Sequence, residues 1–240
     1  MRSILIAAAA FASGTATAQV FNFDTLVHGE IVTNQFEPAL TITASNPNRP
    51  FDIVAGFDTA FMGSTSDPDL LGPPWAGGNL AISATEVALG RVLILAENND
   101  GDGDGVLDDP DDEAARPAGS LDLAFDTPIG VFGLDIIDIQ GAIETTTTID
   151  FYAGGGIVGT VALSDLTDSN SVYFDPSITF GDNTANRMSP ISASDFGASA
   201  FERVVINIGG SSAYDNFVVP APSSAALLGL AGLATARRRR

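Results

Sequence analysis

The residues of this chain best suited to chemistry are carboxylates gathered in one stretch. Residues 97–113 read Glu-Asn-Asn-Asp-Gly-Asp-Gly-Asp-Gly-Val-Leu-Asp-Asp-Pro-Asp-Asp-Glu. A hard cation such as Ca2+ takes six to eight oxygens at roughly 2.3–2.6 Å. Alternating Asp and Gly offers an oxygen at every second residue, and each glycine lets the chain curl around one ion. With Asp100 as the first position of such a loop, Asp102 and Asp104 are the third and fifth. Gly105 is the turn glycine, and Val106 offers its backbone carbonyl. Leu107 fills the apolar position, Asp108 is the ninth and Asp111 the twelfth and closing ligand. Asp111 is one methylene shorter than the glutamate that usually closes such a loop, so Asp112 or Glu113 could close a longer one. Seven acids stand between Asp100 and Asp112 and repel one another when unpaired; a divalent ion relieves that repulsion. The alternative is a solvated acidic loop that holds no ion.

Other chemistry is thinly represented. All ten basic residues are arginine, and there is neither lysine nor cysteine. Lysine or cysteine catalysis, disulfides and thiolate metal sites are therefore excluded. Thirty acids against ten arginines give a charge of −20, which excludes general nucleic-acid binding, since a phosphate backbone is held by clustered cations. Ser64 lacks a nucleophile elbow, and the one histidine, His28, reads as a surface or strand-end residue. A polysaccharide hydrolase using paired carboxylates is the alternative function, but with thirty acids a close pair is expected by chance. Asp135 and Asp138 fall on opposite faces of a regular strand and make no obvious pair. Asp58, Asp67 and Asp69 form a turn or add ligands. Trp75, in a Pro/Gly loop, is the candidate platform for a sugar face, or else a loop anchor plugging the end of the fold; the three tyrosines are Tyr152, Tyr173 and Tyr214.

The elements that must position these groups read as β throughout. Between Gln19 and Val219 there is no useful helical period. Short apolar or alternating runs recur between Gly, Pro, Asn and Asp: 40–43, 51–54, 80–82, 92–96, 121–125, 131–136, 146–152, 157–163, 203–208 and 214–219. Ten or more strands without a fixed repeat point to an all-β fold, a single jelly-roll-like β-sandwich over residues 19–218. The acidic loop then joins two strands, not two helices.

The two ends read as addresses. Met1-Arg2-Ser3, an apolar run from Ile4 to Ala12 and Ala16-Thr17-Ala18 make a secretory signal peptide over 1–18, cleaved between Ala18 and Gln19. Residues 219–240 hold Pro220-Ala221-Pro222, about 14 small and apolar residues, and Arg237 to Arg240. That apolar stretch is short against the roughly 20 residues of a free-standing span, and the arginines would stay cytoplasmic.

This tail resembles the PEP-CTERM sorting signal of exported bacterial proteins, with Ala221 where the namesake motif has Glu. The resemblance covers about 22 residues. It implies a Gram-negative-type cell, transient insertion of the short helix in the inner membrane, and an exosortase-type enzyme that cleaves near the motif. The product would be released or held at the cell surface, often where extracellular polysaccharide is made. Similar tails are also labelled after an ice-binding protein, which implies nothing about ice. The acidic loop resembles the calcium loops of EF-hands, dockerins and thrombospondin type 3 repeats, without their flanking context. The order of the Asp58–Asp69 stretch, Gly78-Asn79, the acidic loop and Gly181-Asp182-Asn183 is similar to a group of secreted bacterial β-sandwich proteins that carries no known activity. Together these point to an exported surface or matrix protein, adhesive or carbohydrate-interacting, not catalytic, with a structural calcium site. Protein from the native host should begin at Gln19 and lack Arg237 to Arg240. Intact-mass analysis checks this, and a surviving arginine tail on surface material would sink the sorting assignment.

Overall fold

The computed structural model describes residues 18–81 and 87–220. The segment before Ala18 read above as a signal peptide, and the tail from Ala221, including Pro222, lie outside the described residues. Twelve strands are present among the described residues: β1 (Ala18–Phe21), β2 (Leu40–Ser45), β3 (Val54–Asp58), β4 (Arg91–Leu95), β5 (Gly119–Ile129), β6 (Val131–Ile137), β7 (Thr148–Ala153), β8 (Gly156–Ala162), β9 (Ala185–Arg187), β10 (Ile191–Ser192), β11 (Phe201–Ile208) and β12 (Ala213–Pro220). One helical turn, α1 (Gly141–Glu144), and three short 3-10 turns complete the described elements. No helix among the described residues is long and apolar enough to cross a membrane.

The strands form two antiparallel sheets, a β-sandwich. One runs β2-β5-β11-β7-β8. The other runs β10-β6-β12-β4-β3, with β1 also on β12 and β9 also on β6. The amino-acid pattern explains how each sheet is buried. Along β5, Leu121, Leu123 and Phe125 are buried while Asp122 and Ala124 alternate outward, the mark of a strand with one wet face. In β4, Val92 to Leu95 are all buried, and a continuous apolar run is the mark of a strand covered on both faces.

Two cores result. The main one lies between the sheets and joins Leu121, Leu123, Val204, Ile206 and Phe151 of one to Leu93, Leu95, Phe132, Leu134, Tyr214 and Phe217 of the other. Phe132 is its centre, with ring centroids 5.6 Å from Phe217 and 6.3 Å from both Phe125 and Phe151. The second core lies on the outer face of the seven-stranded sheet. There Ala55, Phe57, Val92, Ile94 and Ile137 are capped by Leu70, Trp75, Leu80 and Leu89 of the β3–β4 connection and by Leu107 of the acidic loop.

Three features differ from the sequence reading. The run 51–54 becomes strand only at Val54. Leu80 and Ala81 of the run 80–82 are not strand, and Ile82 lies outside the described residues; Leu80 is apolar because it closes the second core. Ala18, Val219 and Pro220, placed in the flanking segments, belong to the body. β1 pairs with the end of β12 in the register Ala18↔Pro220 and Phe21↔Phe217, and that pairing extends the sheet past the expected boundary.

Phe132→Ala should lower the unfolding free energy by about 3–5 kcal/mol, because a ring buried among three others leaves a cavity the sheets cannot close. Urea denaturation measures it, and a loss under about 1 kcal/mol would contradict the core assigned here.

Candidate metal centre

The Asp-Gly loop folds locally as its spacing requires. Gly103 N and Gly105 N each donate to the Asp100 carboxylate at 2.7 Å, Asp104 N donates to Asp102 at 3.3 Å and Val106 N to Asp104 at 2.8 Å. Gly103 and Gly105 take positive φ, 80° and 90°, which few other residues adopt without strain. Carboxylate oxygens of Asp100, Asp102 and Asp104 come within 4.8 Å of one another. Oxygens around one ion at calcium distances stand no farther apart than about 5 Å, so the set fits. Asp108 reaches back to accept from Gly101 N at 3.2 Å. The loop is anchored to the body by Ile31 N→Gly105 O and Leu107 N→Gly29 O, a bridge that leaves the Val106 carbonyl out of its two bonds. The backbone donors from Gly105 and Gly103 hold the Asp100 carboxyl below its ordinary range, while the Asp104 charge lifts Asp102. The flanking elements are strands β4 and β5.

Asp111 lies elsewhere. After Pro110 the chain turns back along β4: Glu97 N donates to Asp111 O, Ala96 bridges Asp112, and Glu113 N donates to Leu95 O. The Asp111 carboxylate therefore gathers with Asp67 and Asp112, with oxygens again within 4.8 Å. Asp112 N donates to Asp67 Oδ2 at 2.6 Å. Asp67 is 7% exposed and Asp112 2% exposed. Burial pushes the Asp67 carboxyl up to about 8, with the neighbouring Asp111 and Asp69 charges adding. Burial and the Asp67 charge raise Asp112 as well.

A third group adjoins this one. Ser211 Oγ donates to Asp112 at 2.9 Å and lies 3.3 Å from Asp138 Oδ2. Asp138, at the end of β6, is fully buried at φ 62° and pushed up to about 6 by burial. Its oxygens converge with those of Asp69 and Asp182. The Gln140 side-chain amide sits among the three, 3.4 Å from Asp69, 3.1 Å from Asp138 and 3.2 Å from Asp182. Asn183 fixes the approach: its N–H donates to Asp138 at 2.7 Å, and its side-chain amide holds the carbonyls of Asp69 and Leu71. The Asp67–Asp69 stretch is thus a 3-10 turn at Pro68–Leu70 whose carboxylates also face two clusters.

The clusters are set off by what the cations do. All five body arginines pair with other acids: Arg49 with Glu97 and Glu113, Arg91 with Asp58, Arg116 with Glu144, Arg187 with Asp135, Arg203 with Asp122. Asp135 and Asp138 are accordingly separate, the first in an ion pair and the second in an acidic group. His28 stacks on Phe61 with centroids 3.9 Å apart and accepts Asp58 N through Nδ1, while burial lowers its pKa. Its place is structural. The platform role for Trp75 is overturned: the indole is only 6% exposed, donates from Nε1 to Val87 O, and packs in the second core, so it offers no face to a ligand. Tyr214 is buried and Tyr152 lies under Arg203 at 4.5 Å.

Metal-free protein should lose stability between pH 5 and 8. Asp67 at about 8, Asp138 at about 6 and Asp215, buried opposite Asp135 and also raised to about 8, keep protons in the folded state that the unfolded chain releases near its ordinary range of about 4. Their contribution is complete below that range and lost as pH rises through the folded values. The urea midpoint in chelator should therefore fall across this window. A flat or rising profile would show that these carboxyls are not held protonated.

No protein-family model matches the chain, and no curated protein matches it. Among solved structures, the chain is similar to the K2 cleaved adhesin domain of Lys-gingipain, at 11% identity over 85% of this chain and 98% of that one, with a TM-score of 0.40. It is also similar to the K1 cleaved adhesin domain of Lys-gingipain from Porphyromonas gingivalis W83, at 9% identity over 86% and 99%, with a TM-score of 0.27.

Proposed function

We propose that this chain is an exported adhesive module of a Gram-negative-type bacterium, directed to the surface or matrix by its ends, interacting with carbohydrate and held in its fold by calcium. The observation that carries the calcium reading is the charge accounting. Three carboxylate groups converge at ion-sized spacing while every body arginine is paired with another acid. A divalent ion is the counter-charge this composition otherwise lacks. The Asp100–Asp104 loop supplies one site, with Asp108 and the Val106 carbonyl beside it. The group with Asp67, Asp111 and Asp112 supplies another, more enclosed. The spacing within these three groups also speaks against any of them serving as a glycosidase pair, whose two carboxylates flank a sugar from about 5–9.5 Å apart in an open cleft. Here the oxygens crowd together, and Asp67 and Asp112 are buried.

Calcium at 100-fold over its Kd should add about 2.7 kcal/mol, and chelation should lower the melting temperature accordingly. Asp102→Ala with Asp104→Ala should remove the loop's share of that response and leave the β-sheet spectrum intact. Asp67→Asn should raise the metal-free melting temperature at neutral pH, because the amide is neutral without taking up the proton that the unfolded chain releases at about 4, and should shrink the calcium increment. Calorimetry with no calcium heat and no chelator-sensitive melting would refute the metal reading. Magnesium should substitute poorly, since it keeps its waters and wants octahedral geometry.

A further inference from the structure

At the side of the sandwich, the connection between β8 and β9 and the segment entering β10 enclose an open cavity of about 490 Å3. Its wall carries Tyr173 and Phe174, with Val172 beside them, and the polar groups Asp175, Ser189 and Asp195. Val172 is 90% exposed and Phe174 is 40% exposed, so the wall presents apolar and aromatic surface to solvent.

The wall is preorganised. Tyr173 N donates to Ser171 Oγ at 3.1 Å, Phe174 N to Ser171 O and Asp175 N to Leu166 O. Leu166 and Ile178 bury the two ends of the segment in the main core. Asp175 is fixed by the N–H and hydroxyl of Ser177, and Asp195 by the N–H of Ser192 across a capping box. Each bond occupies part of a carboxylate and leaves other lone pairs directed outward. The cavity thus combines aromatic faces with fixed acceptors and has no basic residue in its wall. A pyranose is the complementary ligand: its C–H face stacks on an aromatic ring and its hydroxyls donate to fixed carboxylates. The chain's charge of −20 and the acidic wall repel polyuronates and sulfated polymers, so the fitting class is neutral.

We propose that this cavity, walled by Tyr173, Phe174, Asp175 and Asp195, binds a neutral polysaccharide through one or two sugar units. The proposal rests on the carbohydrate-interacting reading above and gives that reading its site. The test is biolayer interferometry of the immobilised full-length chain, in calcium buffer, against laminarin, xyloglucan and galactomannan, with alginate as the anionic control. At least one neutral polymer should bind and alginate should not. Phe174→Ala should weaken binding about tenfold or more, and Asp195→Asn several-fold, each with little change in melting temperature, because Phe174 is exposed and the asparagine side-chain oxygen still accepts from Ser192 N. If a neutral polymer binds and both variants bind like the parent, the site assignment fails while the carbohydrate reading stands. If no polymer binds, both fail. Alginate binding as well as the neutral polymers overturns the charge argument and with it the site. Phe174-dependent fluorescence of anilinonaphthalene sulfonate that saturating oligosaccharide does not displace would identify an apolar partner instead and overturn the proposal.

Discussion

Thirty carboxylates share this body with five arginines, and the fold is organised around where those five cations go. Arg187 clamps Asp135 through both guanidinium bonds on the outer face of β6, and Arg203 does the same to Asp122 between β11 and β5. Arg49 ties both ends of the acidic stretch, Glu97 and Glu113, to the β2–β3 connection, and Asn46 adds a bond to Glu113 at 3.0 Å. Arg116 holds Glu144, whose carboxylate also accepts from Gln140 N. Each pairing joins segments distant in sequence. Apart from Asp215, which lies within β12 opposite Asp135, the buried acids that receive no arginine collect at one end of the seven-stranded sheet, beyond the last residues of β4 and β6 and the start of β12. There they are linked by amides and a hydroxyl, which bridge carboxylates but cannot neutralise them.

The same end of the sheet is where the second core ends, and the two are mechanically linked. Leu70 and Leu107, which cover the outer face, lie three residues from Asp67 and four from Asp111 respectively. Whatever holds the carboxylate group together also seats those two apolar caps. Apolar burial and charge compensation are therefore one problem at this end, whereas between the sheets burial proceeds without charge.

Local order was legible and distant order was not. The spacing Asp100, Asp102, Asp104 with Gly105 foretold a turn that closes on its own backbone, because every bond in it spans five residues or fewer. The alternation in 121–125 and the continuous run 92–96 foretold strands. Asp111 was assigned to the loop by counting, but Pro110 turns the chain and the pairing of Ala96 with Asp112 carries it off. Asp112 and Asp67 are 45 residues apart, as are Asp138 and Asn183, so no spacing rule reaches them. The pair Asp67-Pro68-Asp69 was the one local signal. β9 and β10, three and two residues long, carry too little pattern of their own; their partner β6 makes them strands. Trp75 shows the complementary ambiguity, since a lone indole in a Pro/Gly loop looks alike whether it faces water or plugs a core.

The pairing of β1 with β12 carries a consequence for force. Ala18 stands opposite Pro220, so the chain enters and leaves the described body at adjacent points. β12 is an interior strand, bonded to β6 along one side and to β4 and then β1 along the other. Tension transmitted along β12 through Pro220 meets bonds on both flanks that lie across the pull and must slide together, whereas an edge strand would peel one bond at a time. A body tethered beyond Pro220 would therefore hang from an interior strand bonded on both flanks.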